Sequence, residues 1–213
     1  ECRAVRKSLG MMDASTLGKI DVQGKDAREF LSRVYTNAWM KLAPGSCRYG
    51  LMCNEKGMII DDGVSTCIND NHFIMTTTTG GAASVYSILE MWLQTEWSDL
   101  DVHLNSVTDQ FSTVAVVGPN ARKLMEILCQ DVDFNKDSFK FMQWRPGTVC
   151  GVNARIMRIS FSGELAYEIN VEANYGRFIW DQVAIAGRPW NITPYGTESM
   201  HVLRAEKGFI IVG

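Results

Sequence analysis

The sequence contains few of the residues that bind metals or cross-link extracellular domains. It has three histidines and six cysteines in 213 residues, and the cysteines form no Cys-x-x-Cys pair and no regular spacing. A zinc site therefore has little support, and we expect no bound metal. Because scattered thiols without a signal peptide are typical of a reducing compartment, we expect reduced cysteines and a cytoplasmic location.

Long apolar runs and basic runs are also missing. No apolar stretch approaches the roughly 20 residues that a membrane span needs, so we expect no membrane association. Basic residues number 21 against 24 acidic residues, and they form no cluster, so nucleic acid is not an expected partner. With 46% hydrophobic residues, the chain can instead build one large core or two smaller ones.

Both ends of the chain look like internal parts of a longer protein. The chain opens on Glu1-Cys2-Arg3 and closes on the apolar, strand-like run 208–213. Termini are normally polar and exposed. We therefore expect a fragment that is truncated at both ends and finishes in a strand.

A hairpin that ends in two carboxylates is the most informative segment. Two apolar, β-prone runs flank the turn cluster 54–57, in which Gly57 can take the positive φ that a tight turn needs. The second strand continues into Asp61 and Asp62, which must point to opposite faces because side chains alternate along a strand. One carboxylate therefore faces inward, where it is costly unless it is paired or used.

A strand, a glycine turn and a helix beginning with Ala-Arg occur twice, at 20–28 and at 115–122. Around these units, strands and helices are mixed and hairpins are frequent. This pattern predicts an α+β fold with two related, hairpin-containing subdomains rather than a doubly wound parallel sheet. We place the subdomains at residues 1–110 and 111–213 and expect them to be intertwined.

Three segments, in this order, carry a family resemblance. They are the hairpin with its aspartates, the segment Ser162-Gly163-Glu164-Leu165-Ala166-Tyr167-Glu168 and the helical segment 197–209. Together they resemble the folate-binding aminomethyltransferase family, which includes the T-protein of the glycine cleavage system. The run 76–81 and the segment 200–209 look most like the alpha subunits of heterotetrameric sarcosine oxidase within that family. The resemblance covers essentially the whole chain and implies that a C-terminal barrel domain is missing here.

The resemblance implies a tetrahydrofolate-binding domain with one-carbon transferase activity. Such a domain converts an oxidized methyl group, as an iminium or formaldehyde equivalent, to 5,10-methylenetetrahydrofolate. The resemblance also implies partner subunits of a hetero-oligomeric amine oxidase, including one that carries flavin, with flavin and NAD bound outside this part. Met200 stands where glycine-cleavage members carry an arginine, which favours the free iminium or formaldehyde over a lipoyl-bound donor.

Site residues also follow from the resemblance. Asp62 matches the carboxylate near the reactive folate nitrogens, where it can orient the amine, stabilise a cation and accept a proton. Glu168 matches the glutamate that binds two parallel donors of the pteridine. The remaining predicted folate-binding residues are Tyr49, Phe161, Thr77 and Phe209. We expect Asp62 and Glu168 to face a common cavity lined by Tyr49 and Phe161.

Plainer interpretations compete with these assignments. The aspartates can be solvated turn residues, Asp61 can be outward or structural, and Glu168 can be an ordinary strand acid. Tyr49 and Phe161 can be core aromatics, and the threonine run can be a strand end and helix cap. We interpret Arg204 and Glu206 as mostly structural, because they lie in a helix register that the family shares.

A second class of function remains open, because fold alone does not separate it from catalysis. It is a non-catalytic folate-binding module, like the iron–sulfur assembly and tRNA-modification relatives of the fold, or a docking platform for partner subunits. Those relatives typically carry a Lys-Gly-Cys-x-x-Gly-Gln motif, which none of the six cysteines occupies, and tend to lack the paired aspartates. Both observations favour the enzyme.

Overall fold

The computed structural model describes residues 1–212. Its helices and strands, in chain order, are α1 (Cys2–Lys7), β1 (Gly10–Asp13), β2 (Gly18–Gln23), α2 (Ala27–Val34), β3 (Cys47–Cys53), β4 (Ile59–Asn69), β5 (His72–Thr77), α3 (Ala82–Thr95), β6 (His103–Ser106), β7 (Phe111–Val117), α4 (Ala121–Leu128), β8 (Gln143–Val149), β9 (Val152–Arg158), β10 (Ala166–Glu172), α5 (Gly176–Ala186), β11 (Thr193–Pro194) and α6 (Thr197–Glu206).

The chain forms two compact units. The first unit consists mainly of Thr16–Thr108, and the second combines Glu1–Ser15 with Asp109–Ile211. The predicted α+β fold with two related, hairpin-containing subdomains is confirmed by the two separate sheets. Residues 1–15 group with Asp109–Ile211, so the chain enters the second unit, passes through the first and returns to the second. The division at residues 110 and 111 stays a prediction.

The first unit is an antiparallel five-stranded sheet in the order β3-β4-β5-β2-β6. Helices α2 and α3 bury their apolar side chains against one face of this sheet. They form a core with alternate strand residues, among them Ile20, Val22, Met52, Phe73 and Met75. Because only alternate residues enter the core, the intervening residues of each strand lie on the opposite face.

The second unit is a six-stranded sheet in the order β11-β1-β7-β10-β9-β8, in which only the pair β1–β11 is parallel. Helices α4 and α5 cover one face, where Val114 and Val116 are buried. On the opposite face, Ala115 and Val117 pack in a smaller cluster with Val5 of α1 and with α6. The two faces of this sheet therefore carry two separate apolar clusters.

The internal repeat is visible in the structure. In the first unit, β2 leads through Gly24 at φ 140° into α2; in the second unit, β7 leads through Gly118 at φ 132° into α4. Both helices bury residues at the same spacing, which in chain order are Ala27, Phe30, Leu31 and Val34, and Ala121, Leu124, Met125 and Leu128. The repeated glycine turn thus places an equivalent helix on each sheet.

The predicted final strand is wrong for the described residues. Residues 209–212 contain no strand, and Phe209, Ile210 and Ile211 are exposed; Gly213 lies outside the described residues. Helix α6 begins after Gly196, and no side chain of its own N-cap residue closes its first turn. The carboxylate of Glu1 instead accepts hydrogen bonds from the Gly196 N–H at 3.0 Å and the Ser199 hydroxyl at 2.7 Å.

Gly24→Ala should destabilise the protein, because Gly24 has a positive φ of 140° and a Cβ there would lie 2.0 Å from the carbonyl oxygen of Asp101. We expect a loss of about 1–3 kcal/mol or more in the free energy of unfolding, measured by denaturant titration. The control is Gly80→Ala, where a Cβ meets nothing within 4 Å. Equal losses for the two variants would contradict the steric argument.

Candidate functional site

Asp62 lies on the sheet face of the first unit that the helices do not cover. Its cross-strand partner is Leu51, and Tyr49 lies two residues further along β3 on the same face. The Tyr49 hydroxyl donates a hydrogen bond of 2.6 Å to Asp62 Oδ2. Burial and the neighbouring Asp62 carboxylate raise the pKa of Tyr49, so the phenol keeps the proton that it donates. The structure therefore brings together two predicted site residues.

Asp61 points to the opposite, core-facing side of β4, where its cross-strand partner is the fully buried Met52. Asp61 itself is 0% exposed, which excludes the outward orientation and leaves the structural interpretation of this residue. The Thr78 hydroxyl donates to Asp61 Oδ1 at 2.6 Å, and the Thr78 N–H lies 3.4 Å from each carboxylate oxygen. Burial raises the pKa of Asp61 despite these hydrogen bonds.

The hydrogen bonds of Asp61 organise the start of helix α3. Thr78 Oγ1, which donates to Asp61, also accepts the Gly81 N–H at 3.1 Å. A Cβ on Gly81 would lie 2.6 Å from Asp61 Oδ1, so the glycine leaves room for the carboxylate. A carboxylate near the N-terminus of a helix is favoured by the helix dipole. The structure thus supports a structural role for the inward aspartate.

The threonine run is largely occupied by local hydrogen bonds. Thr76 Oγ1 donates to the Val64 carbonyl at 3.2 Å, and Thr79 Oγ1 lies 3.0 Å from Thr16 Oγ1. Thr77 is 2% exposed, and its hydroxyl donates to the carbonyl of Thr78 at 2.9 Å. These contacts agree with the interpretation as a strand end and helix start, and a folate contact by Thr77 stays a prediction.

Tyr35 is a buried residue near the two aspartates that the sequence did not single out. Its ring packs against Trp39, with ring centroids 5.8 Å apart. Its hydroxyl is buried without a hydrogen-bond partner. Burial, together with the charges of Asp61 and Asp62, raises its pKa. No sequence signal separates this tyrosine from an ordinary core aromatic.

Glu168 lies in the middle of β10 in the second unit, paired with Ala115 on one side and Met157 on the other. It is half-buried and shares its face with Ala166, opposite the main core. Burial raises the pKa of Tyr195, and the negative charge of Glu168 raises it further. Tyr195 is thus a neighbour of Glu168 that sequence reasoning missed, because it lies between β11 and α6 without a motif of its own.

The two predicted phenylalanines lie at the surface of the second unit. Phe161 follows β9 and is 38% exposed, and Phe209 follows α6 and is 39% exposed. The Phe209 N–H donates to the carbonyl of Arg204 at 3.0 Å, which fixes the backbone there. Phe161 and Tyr49 are both absent from the buried clusters, so they are not core aromatics.

The acidic residues around the Ser-Gly-Glu segment are held by Arg6 of α1. The Arg6 guanidinium donates to the Ser162 carbonyl at 2.6 Å and to Glu164 Oε1 at 3.0 Å. It also contacts Glu206 Oε2 at 2.8 Å and the Leu203 carbonyl at 2.9 Å. Two of the resemblance motifs are therefore joined by one arginine, which agrees with a structural role for Glu206.

An open depression of about 520 Å³ in the second unit includes none of the predicted site residues. Its lining consists of Asp13, Ser15, Ser112, Val114, Gly176, Arg177, Trp180 and Asp181. Among residues 1–212, no three side chains of His, Cys, Asp or Glu cluster in a way that could hold a metal ion. Within the same range, no helix is long and apolar enough to cross a membrane.

Residues 1–213 match the family model of the GCVT N-terminal domain. The chain belongs to this family. It is 59% identical over 100% of its length to the sarcosine oxidase subunit alpha of Corynebacterium sp. (strain U-96). It is 30% identical, again over 100% of its length, to the aminomethyltransferase of Chloroherpeton thalassium. The chain spans 22% of the first relative and 57% of the second.

Solved structures support the fold of this GCVT domain. The crystal structure of glycine cleavage system aminomethyltransferase T from Bartonella henselae has a TM-score of 0.84 and 23% identity, covering 99% of this chain and 54% of that chain. A chain of the heterotetrameric sarcosine oxidase from Corynebacterium sp. U-96 has a TM-score of 0.65 and 11% identity, with 89% and 90% coverage. At these identities the likenesses show the fold alone, which confirms the predicted T-protein-type architecture.

Asp61→Asn and Asp131→Asn should change the pH dependence of stability in opposite directions. Burial raises the pKa of Asp61 above 3.8, so its contribution is fully present below pH 3.8 and is lost as the pH rises through its folded pKa. Hydrogen bonds from the Thr148 N–H and the Cys129 thiol lower the pKa of Asp131 to about 2, so its contribution is lost as the pH falls below 3.8.

The measurement is the free energy of unfolding of wild type and both variants, from denaturant titrations at a series of pH values. Asp61→Asn should reduce the decline in stability on the alkaline side of pH 3.8. Asp131→Asn should reduce the decline on the acid side. Parallel profiles for all three proteins would show that neither carboxylate is linked to folding in this way.

Proposed function

We propose that this GCVT domain binds tetrahydrofolate and transfers a one-carbon unit to it. The reaction is the conversion of an oxidized methyl group, as an iminium or formaldehyde equivalent, to 5,10-methylenetetrahydrofolate. The observation that carries the proposal is the half-buried Asp62 carboxylate, held at 2.6 Å by the Tyr49 hydroxyl on the face away from the helices. The family match and the names of both curated relatives as enzymes support it.

The chemistry of Asp62 suits such a transfer. A folate amine that attacks an electrophilic carbon must lose a proton, and a carboxylate at that point accepts it. The same negative charge stabilises a cationic iminium before attack. The Tyr49 hydroxyl donates to one carboxylate oxygen and so fixes the orientation of the group. Tyr49 is therefore a positioning residue in this proposal, and its 36% exposed ring is accessible for ligand contact.

Glu168 is proposed to bind the pteridine ring. Its carboxylate is half-buried in the central part of β10, beside the small side chain of Ala115. A carboxylate accepts two parallel hydrogen bonds from the ring amide N–H and the exocyclic amine. The exposed rings of Phe161 and Phe209 are available for stacking, whereas they offer no hydroxyl for a hydrogen bond.

The proposed setting is a sarcosine oxidase-type assembly. The relative with 59% identity is named as a subunit alpha, and that name implies partner subunits for it. By extension we propose that this domain works beside a flavin-carrying subunit, with flavin and NAD bound elsewhere, and in the cytoplasm. Met200 is partly buried against the smaller apolar cluster that includes Val5 and Ala115. We propose that its neutral side chain suits a free iminium or formaldehyde donor.

Asp62→Asn in the assembled protein should slow methylenefolate formation while largely preserving folate binding. Asparagine keeps the shape and some hydrogen bonding, but it neither accepts a proton nor offsets a cationic iminium. We expect a reduction of about 10²–10⁴-fold in the transfer step. Amine oxidation should continue and release free formaldehyde. The measurement is the ratio of formaldehyde to methylenefolate at saturating tetrahydrofolate.

The matched control for this ratio is Asp99→Asn, because Asp99 is an exposed aspartate of the same unit. The control should behave as wild type. If Asp62→Asn also leaves the ratio unchanged while folate still binds, Asp62 is not catalytic, and the alternative of a non-catalytic folate-binding module is favoured.

Glu168→Gln should weaken tetrahydrofolate binding, because one acceptor of the bidentate pair becomes a donor that faces another donor. We expect the Kd to rise by about 10–100-fold, as for a lost hydrogen bond to a charged group. Product partition at saturating folate should stay near wild type. Titration calorimetry measures the Kd, with Glu172→Gln as control, since Glu172 is exposed at the end of the same strand. An unchanged Kd would remove Glu168 from the folate site.

A further inference from the structure

The open depression of the second unit lies at one end of the interface between its sheet and helix α5. Its floor is formed by the end of β1 and the start of β7, and its wall by the first turns of α5. Further along the same interface, buried apolar side chains such as Met11, Val116 and Ile179 fill the space. The volume of about 520 Å³ is large enough for a small molecule, and the opening to solvent gives that molecule access.

Asp13 occupies a core-facing position of β1 at the point where this depression opens. Side chains alternate along a strand, so Asp13 points to the same face as the buried Met11, and its cross-strand partner is the buried Val114. Asp13 Oδ1 accepts a hydrogen bond of 2.9 Å from the Ser15 N–H, which orients the carboxylate. Among residues 1–212, no basic side chain forms an ion pair with Asp13. The carboxylate therefore offers an uncompensated negative charge to a ligand.

Arg177 offers the opposite charge on the wall of the same depression. Its Nε donates to Asp181 Oδ2 at 2.8 Å, four residues further along α5. The two terminal nitrogens of the guanidinium have no hydrogen-bond partner within residues 1–212, so they keep the paired donors that bind a carboxylate. Trp180 adds the apolar surface of a partly buried indole to the lining. The depression thus combines an acceptor for a cation, donors for an anion and an apolar surface.

We propose that this depression binds a small zwitterion of the α-amino acid type with an apolar side chain. The ammonium group of the ligand pairs with Asp13, its carboxylate accepts hydrogen bonds from Arg177, and its side chain packs on Trp180. A ligand with one charge of each sign satisfies both of the protein groups that lack partners, whereas a simple amine or a simple carboxylate satisfies only one. No residue of the lining belongs to the proposed folate site. The inference therefore goes beyond the proposed function and does not depend on it.

The plainer interpretation is that these charged groups only stabilise α5. The helical segment begins at Ala173, and a carboxylate such as Asp13 near its N-terminus is favoured by the helix dipole. Arg177 and Asp181 then form an ordinary exposed pair four residues apart, which contributes little. These roles predict that substitutions change stability and that no ligand binds. A binding measurement therefore separates the two interpretations.

The test is a ligand-observed NMR titration of the full-length, assembled protein with three probes. The probes are norvaline, n-butylammonium, which is norvaline without its carboxylate, and pentanoate, which is norvaline without its ammonium group. We expect norvaline to bind most tightly. Asp13→Asn should raise the norvaline Kd by about three- to tenfold, because asparagine still accepts the Ser15 N–H but carries no charge. Arg177→Gln should raise it by a similar factor, because glutamine keeps a donor but loses the charge and the paired geometry.

Two control variants remove the same charges elsewhere in the second unit. Asp137→Asn and Arg188→Gln change exposed residues outside the depression and should leave the norvaline Kd unchanged. An amino acid site elsewhere in the assembly would contribute binding that none of these variants alters.

Three results overturn the inference. They are no binding of norvaline to wild type, equal norvaline binding by wild type and both depression variants, and binding of n-butylammonium or pentanoate as tight as that of norvaline. If Asp13→Asn does not fold, Arg177→Gln carries the test alone, because the Arg177 side chain is 86% exposed and its loss leaves the core untouched.

Discussion

The strict alternation of side chains across each sheet is the constraint on which both halves of this molecule depend. In each unit, alternate strand residues enter an apolar core under two helices, so their neighbours are committed to the other face. Asp62 lies on that other face in the first unit, and Glu168 lies on it in the second. A shift of one residue in the strand pairing of either sheet would turn the carboxylate into the core and a core side chain out to the other face. The apolar core and the candidate site of that unit would be lost together.

Local sequence signals were sufficient where a residue type has few conformational alternatives. Gly57 predicted the hairpin turn, and it takes a φ of 75°. The repeated glycine turns predicted the two related units, and Gly24 and Gly118 take φ values of 140° and 132°. The apolar run at 208–212 misled, because hydrophobicity alone does not supply a strand to pair with. Strands β1 and β11 form by pairing between segments that are far apart in the sequence, and no local pattern reports such pairing.

The same limit applies to the candidate site. Alternation showed that one of the paired aspartates must face inward. The β3–β4 register, which no local pattern reports, makes it Asp61 by pairing Asp61 with the buried Met52. Tyr35 and Tyr195 belong to no sequence motif. They stand out only because they are buried near carboxylates that help to raise their pKa values. The Ser-Gly-Glu segment was visible as a motif. Its acidic residue, however, contacts Arg6, which makes part of that signal structural.

The placement of β1 has a consequence for how the chain acquires its structure during synthesis. β1 pairs with β7 and β11, so residues 10–13 have no sheet to join until the segments beyond residue 109 have been made. The entire first unit is synthesised in the interval, and its strands are all supplied by one continuous stretch. The strands of the first unit can therefore pair before residues 10–13 meet their partners, because contacts of such long sequence separation form slowly.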